Sequence, residues 1–178
     1  MTVRRILRMG HPILRQRARP LREAEIGSPQ TRGLVEDMIE TLHHAGGIGL
    51  AAPQVGEPIR LAIIEIGDAE SRYGDIPQMP LTVFVNPELE VLDPARAGYW
   101  EGCLSVPGLR GFVERPQHVR VTARDLAGAP VELELRGFLA TVFQHEFDHL
   151  DGRLYIDRMD DLRKLVFEEE LAGHLEAT

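Results

Sequence analysis

The chain has 178 residues, of which 43% are hydrophobic and 27% are charged, and its formal net charge is −8. This length and composition predict a single globular domain, residues 1–178, that buries a core of its own. The negative charge excludes general nucleic-acid binding, because phosphate backbones require a basic face. The lone cysteine, Cys103, excludes an internal disulfide and fits a reducing compartment. Its thiol is therefore available as a ligand, a nucleophile or part of the core.

The N-terminal region contains arginines but no long apolar stretch, so neither a signal peptide nor a membrane span is expected. We expect the arginines between Arg4 and Arg22 to form a solvated surface and not a polyanion site. Together with the start at Met1, this pattern favours a bacterial-type cytoplasmic protein without a membrane partner.

The first predicted helix begins at Ser28 and Pro29. Serine caps the free N–H groups of a helix, and proline fits its first turn. The glycines at 46 and 47 are expected to end the helix. Between these limits apolar residues recur at helical spacing, which predicts a packing helix: Leu34, Val35, Met38, Ile39 and Leu42.

Strands are predicted in the middle of the chain. Alternation and β-branched content indicate strands at 60–66, 82–86, 119–124 and 131–136. A turn containing Gly128 joins the last two as a hairpin. A further segment at 88–92 either continues the strand at 82–86 after Pro87 or pairs with it. Residues 67–80, rich in glycine, proline and charge, are expected to be a surface loop without a predicted role. A short helical piece is expected from about residue 161.

Residues 144–152 end an apolar run, 138–143, that has helical length. At about 100° per residue, His145 and His149 lie on one helix face, one turn apart. Two imidazoles at that spacing can bind one metal ion, and Glu146 flanks them within reach of a water on that ion. The alternative is a core helix that happens to carry two histidines, but it would bury unpaired polar groups at a cost of several kcal/mol. A metal site is therefore favoured.

These elements predict an α+β fold. We expect mainly antiparallel strands packed around a central metal-binding helix, with an N-terminal helix and a short C-terminal helix.

Two further segments each allow two interpretations. The glycine-rich stretch at 47–56 is either the end of a helix running into a turn or a place where backbone approaches a ligand closely. It is not a phosphate loop, since no G-K-[ST] follows. Cys103, between Gly102 and Leu104, is either inert core or a ligand.

A catalytic zinc-type site takes three protein ligands, and three candidates compete for the third place. A histidine ten residues after the first, as in metzincin proteases, fails because Tyr155 occupies that position. A glutamate about twenty residues beyond His149, as in thermolysin-like proteases, is possible on spacing with Glu168, Glu169 or Glu170. The remaining candidate is Cys103.

Three motifs occur in order along the chain: GIGLAAPQ at 47–54, EGCLS at 101–105 and QHEFDHLDG at 144–152. They resemble the three motifs of peptide deformylases, and the chain from Ile6 to about Met159 is similar to that family. The resemblance implies an enzyme that removes the N-formyl group from the initiator methionine of newly made polypeptides and releases formate. It favours Cys103 as the third ligand.

The resemblance also implies roles for the motif residues. Cys103, His145 and His149 would hold one divalent metal ion per chain, with Glu146 moving the proton of a bound water. Ferrous iron is the expected ion, and zinc, nickel or cobalt could replace it in purified protein. The oxyanion would be stabilised by the Gln54 side-chain amide and the backbone N–H of Leu104.

The substrate is expected to bind as an added strand along Gly47, Ile48 and Gly49. By the helical count, the methionine side-chain pocket would be lined by Phe138, Thr141 and Val142, with Tyr99 beside them. Three charged groups, Glu101, Arg110 and Asp148, are expected to support the ligands and the cleft, although structural ion pairs would explain them equally well.

The expected partners are formyl-methionyl nascent peptides. Some family members end in a basic helix that docks on the ribosome, whereas this chain continues with Glu168, Glu169 and Glu170. Proximity to the ribosome is possible, but docking through such a helix is not expected. Two other functions stay open at this point: an endopeptidase that uses Glu169 as third ligand, and a non-catalytic protein with a structural metal site.

Overall fold

The computed structural model describes residues 2–67 and 78–177. Within these ranges, its main feature is one antiparallel sheet that lies between the first two of its three helices. The helices are α1, Pro29–Ala45, α2, Phe138–Leu150, and α3, Leu171–Ala177. The strands are β1, Gly49–Ala51, β2, Leu61–Ile66, β3, Met79–Cys103, β4, Val106–Arg124, β5, Pro130–Arg136, and β6, Leu165–Phe167. The predicted α+β class is confirmed.

Helix α1 begins and ends as its sequence predicts. The Ser28 hydroxyl accepts a hydrogen bond from the Thr31 N–H, and Pro29 occupies the first turn. At the other end Gly46 adopts φ of 66°, and its N–H donates to carbonyls of the last turn. This left-handed conformation favours glycine, so the helix stops there.

The sheet follows the order β1-β2-β3-β4-β5, and every pairing is antiparallel. The predicted hairpin is confirmed as β4 and β5, with Gly128 at φ of 82° in its turn. Of the two alternatives for 88–92, continuation of the strand at 82–86 is confirmed, since both segments belong to β3 and the register shifts between Val85 and Glu88 without ending the pairing. Asn86 adopts φ of 49° there, and its side-chain amide bonds both backbone groups of Leu21.

The C-terminal region differs from the predicted helix. Residues 162–164 form one 3₁₀ turn, β6 then pairs with β4, and α3 begins only at Leu171. Most of the predicted loop at 67–80 lies outside the described residues, while Met79 and Pro80 already belong to β3. Within the described part of the chain, no helix is long and apolar enough to cross a bilayer.

The sheet buries both faces, and α1 and α2 cover opposite sides of it. Along β2, Leu61 and Ile63 face the α1 side, whereas Ala62 and Ile64 face the α2 side. The α2 side contains a cluster of three phenylalanine rings. The ring centroid of Phe84 lies 5.1 Å from that of Phe143 and 6.1 Å from that of Phe147, and both contacts are edge-on. This cluster fixes α2, and therefore its histidines, against the sheet.

Replacing Phe84 tests this packing. The side chain is 0% exposed, so Phe84→Ala leaves a cavity between β3 and α2. We expect the free energy of unfolding to fall by about 3–5 kcal/mol, measured by urea denaturation. Phe167→Ala is the control, because Phe167 is 62% exposed and its truncation should cost less than about 1 kcal/mol. Equal losses in the two variants would contradict the assignment of the core.

Candidate metal centre and active site

Helix α2 presents its two histidines to the interior. His145 and His149 are both buried, and their ring centroids lie 5.2 Å apart. The spacing of four residues places the rings one above the other on one face, as the sequence predicts. Phe143 and Phe147, on the other side of the helix, pack against Phe84 of the sheet, so both histidine rings have a fixed direction.

Cys103 reaches these rings because β3 ends at that residue and the chain turns at once into β4, which begins at Val106. The Cys103 Sγ lies 3.3 Å from His149 Nε2. The potential ligand atoms of Cys103, His145 and His149 all lie within 4.8 Å of one another, so the three side chains could bind one metal ion. Glu169, the third ligand of the endopeptidase hypothesis, is exposed and does not belong to this group.

The donors fit a divalent transition metal. Burial alone would raise the pKa of the Cys103 thiol, but His149 and His145 beside it lower that pKa well below its usual range. Burial likewise opposes the charging of His145, whereas Cys103 and Glu101 raise its pKa well above the usual value. The lowered pKa favours the thiolate form of the sulfur. A thiolate with two neutral imidazoles is a donor set that suits iron(II), zinc, cobalt or nickel.

A network of buried charges fixes the orientation of His145. Its Nδ1 lies 2.7 Å from Glu101 Oε2, and Arg115 donates to both oxygens of Glu101 at 2.6 and 3.1 Å. Arg115 also donates to Asp148 at 2.7 Å, and Arg158 donates to the same carboxylate. Burial would raise the pKa of Glu101 and of Asp148, but their cationic partners lower both. Such a network holds the ring in place and keeps its second nitrogen available.

Glu146 lies beside the histidines with its carboxyl group buried. An added Cβ at Gly49 would lie 2.5 Å from Glu146 Oε1, so only glycine leaves room for this carboxyl group. Glu146 Oε2 has no hydrogen-bond partner among the described residues. Burial raises the pKa of Glu146, and the histidines only partly offset that rise. A carboxyl group with a raised pKa is suited to accept and return a proton near neutral pH.

Gln54 is fixed by its own hydrogen bonds. It lies in a 3₁₀ turn, Ala52–Val55, after β1, and is 2% exposed. Its Oε1 accepts from the Ala51 N–H at 2.8 Å, which directs Nε2 towards Ser105 Oγ at 3.2 Å and Cys103 Sγ at 3.6 Å. The amide N–H groups therefore face the metal-ligand cluster.

A cleft of about 550 Å³ opens onto these groups. Its lining includes most of the residues proposed from the sequence: Gly47, Ile48, Gly49, Gln54, Glu101, Cys103, Leu104, Arg110, Phe138, Thr141, Val142, His145 and Glu146. Tyr99 is an exception. It does not line the cleft, but its ring lies edge-on to that of Phe138, with centroids 5.4 Å apart.

The sequence did not indicate several residues of this region. Trp100 and Glu168 also line the cleft, and Ser105 holds the Gln54 amide. Arg115 joins Glu101 to Asp148, although the three are far apart along the chain. The acidic run at 168–170 was visible, but its place depends on the pairing of β6 with β4, which no local pattern predicts.

Comparison with known proteins identifies the family. The chain matches the polypeptide deformylase family model over residues 3–165. A peptide deformylase of Leptospira biflexa is 44% identical over 177 residues, which cover 98% of this chain and 99% of that protein.

Solved structures agree with this match. A class I type b peptide deformylase from Acinetobacter baumannii superposes with a TM-score of 0.84 at 38% identity, covering 90% of this chain and 100% of that chain. The Acinetobacter protein is also known with Met-Ala-Ser bound, at a TM-score of 0.83, 38% identity, and coverage of 89% and 99%. From its family match, its relatives and its fold, the chain belongs to the polypeptide deformylase family.

Proposed function

We propose that the cleft is the active site at which this chain removes the N-formyl group from the initiator methionine of newly made polypeptides. Deformylation of nascent peptides is the activity of the family, and the chain is an enzyme of this kind, a hydrolase acting on a linear amide. The observation that carries the assignment to this cleft is the convergence of Cys103, His145 and His149 beside the carboxyl group of Glu146.

The ligands of the metal are, in this proposal, the thiolate of Cys103 and the imidazoles of His145 and His149, with one ion per chain. Ferrous iron is the ion that we propose, and zinc, nickel or cobalt can occupy the same donor set in purified protein. When bound, such an ion lowers the pKa of a coordinated water and makes a nucleophile available near neutral pH. Glu101 and Arg115 keep the His145 ring directed at the site.

Glu146 moves the proton in the proposed reaction. Its buried carboxylate accepts the proton of the attacking water and later passes it to the nitrogen that leaves when the formyl C–N bond breaks. The raised pKa supports this role, because it makes the carboxylate a better proton acceptor and brings its pKa closer to the pH at which it must also donate. The products are formate and a free N-terminal amine.

Attack on the formyl carbon creates a negative charge on its oxygen. The Gln54 side-chain amide and the backbone N–H of Leu104 are the donors that we propose for this oxyanion. The fixed position of Gln54 supports the role, because a donor held in place loses no entropy when the charge develops.

The substrate chain binds, in this proposal, beside β1, which lies at the edge of the sheet and pairs only with β2 among the described strands. Gly47, Ile48 and Gly49 present backbone there, so the peptide can add as a strand with little dependence on its sequence. The methionine side chain enters the pocket of Phe138, Thr141 and Val142, and the Tyr99 ring packs edge-on against that of Phe138.

We further propose that residues 1–178 act as one catalytic domain in a bacterial-type cytoplasm, with formyl-methionyl nascent peptides as partners. Helix α3 has the sequence LAGHLEA, without lysine or arginine. In this proposal the chain does not dock on the ribosome through a basic C-terminal helix. The net charge of −8 is the reason why general nucleic-acid binding is not part of the proposal, and no membrane partner is included.

Metal retention separates this site from the endopeptidase hypothesis. Cys103→Ala removes the thiolate, and we expect the bound metal, measured by elemental analysis after desalting, to fall by at least tenfold. Glu169→Ala is the matched control and should keep the wild-type content. Loss of metal in the Glu169 variant, with retention in the Cys103 variant, would reverse the assignment.

Formate release from formyl-Met-Ala tests the reaction and the role of Glu146 together. In Glu146→Ala we expect the rate to fall by about 10²–10⁴, because the other buried carboxylates near the site, Glu101 and Asp148, are engaged by Arg115. The variant should retain its metal, and Glu169→Ala should react like the wild type. A wild-type protein that carries metal but releases no formate would favour a structural metal site instead.

A further inference from the structure

The C-terminal segment, which we define as residues 165–177, forms part of the cleft wall. Strand β6 pairs with the stretch of β4 that follows the metal-ligand motif, with Leu109 opposite Phe167 and Gly111 opposite Leu165. Glu168 is the first residue after this strand. The pairing therefore places the Glu168 side chain in the lining of the cleft, next to Arg110.

Arg110 and Glu168 form an ion pair of unequal exposure. Arg110 Nη2 donates to Glu168 Oε1 at 2.7 Å, and the two side chains are 18% and 38% exposed. The guanidinium lies over Gly102, where an added Cβ would be 2.1 Å from Nη1. The cation is thus the inner member of the pair, beside the strand that carries Cys103, and the carboxylate is the outer member.

Ring contacts hold the same segment from its other end. Trp100 lines the cleft and lies edge-on to His174 of α3, with ring centroids 5.3 Å apart, and to Phe112 of β4 at 5.6 Å. Strand pairing, an ion pair and a ring contact together fix the segment against the wall. The Glu168 carboxylate consequently has a set position relative to the metal ligands.

We propose that Glu168 is a specificity-determining residue of the deformylation reaction, acting on the substrate residues that follow the methionine. This inference rests on the proposed function, since it takes the cleft as the binding site of the formyl peptide. The cleft that is proposed to take the methionine is also lined by Arg110 and Glu168, and an extended peptide advances about 3.3 Å per residue. Residues after the methionine can therefore come within reach of this wall. A cationic side chain there meets the exposed carboxylate, whereas an acidic one is repelled by it.

The positive charge of Arg110 favours acidic substrate residues, and its ion pair with Glu168 weakens this effect. With Glu168 in place, the guanidinium is engaged by the carboxylate and covered by it. Without Glu168, the guanidinium loses this carboxylate, and the cleft wall beside the peptide becomes more positive by one charge. Removal of each member of the pair should therefore change the charge preference in opposite directions.

The test is a set of formyl-Met tetrapeptide amides with alanine at positions 2 to 4, in which one position carries lysine or glutamate. The kcat/KM for formate release gives a lysine-to-glutamate ratio at each position, and the all-alanine peptide is the neutral reference. We expect the wild type to favour lysine by about fivefold at one position or more, the size of effect that a partly exposed charge produces. The ratio should shrink as salt is added.

The variants identify the source of the preference. In Glu168→Gln the ratio should fall to about one or below, and in Arg110→Gln it should exceed that of the wild type. Glu170→Gln is the control, since Glu170 is exposed and does not line the cleft, and it should keep the wild-type ratio.

Two results would overturn the inference: a ratio of one at every position in the wild type, or a wild-type ratio in Glu168→Gln. Both leave the proposed function intact, because the peptides are still deformylated. Failure of the proposed function differs, since no formate would then be released from any peptide, including the neutral reference.

Discussion

The meeting of one thiol from the sheet with two imidazoles from α2 is the constraint on which the rest of the structure depends. The sheet supplies the sulfur at the end of β3, and the helix supplies the nitrogens one turn apart. Neither element can form the group alone. The fold must therefore hold the β3–β4 turn and the face of α2 within a few ångströms of each other, and the packing of Phe84 against Phe143 and Phe147 does this.

Placing so many polar groups in a buried position requires compensation. Ionised groups in a protein interior are costly unless they are paired and hydrogen-bonded. Here the Arg115 guanidinium donates hydrogen bonds to both Glu101 and Asp148, and Arg158 donates a further one to Asp148. Glu146 is different, because one of its oxygens has no partner in the described part of the chain. Glu146, which is proposed to move the proton, is thus the carboxyl group that does not take part in the network of ion pairs.

Local signals were sufficient for much of the fold and for the centre of the site. The cap at Ser28 and the glycine at 46 predicted α1, and Gly128 predicted the β4–β5 hairpin. His145 and His149 followed from helical spacing alone. For the third position of the proposed metal site, spacing left Cys103 and Glu169 open, and the family motifs favoured the cysteine.

The remaining parts depend on long-range pairing that local patterns do not contain. Strand β3 has 25 residues, but the sequence indicated strand only at 82–86 and 88–92, and Pro87 left open whether the second segment continues the first or pairs with it. Strand β6 is only three residues long, so the position of Glu168 in the cleft wall was not visible. The ion pairs of Arg115 with Glu101 and Asp148 likewise depend on long-range packing. The register of β3 and β4 brings residues 101 and 115 close together, and α2 supplies residue 148.

X-ray absorption spectroscopy of the protein loaded with one equivalent of zinc tests the central claim most directly. The account predicts a first coordination shell with one sulfur at about 2.3 Å and two imidazole nitrogens at about 2.0–2.1 Å. A shell of nitrogen and oxygen alone, without sulfur, would contradict it, because Cys103 would then lie outside the site.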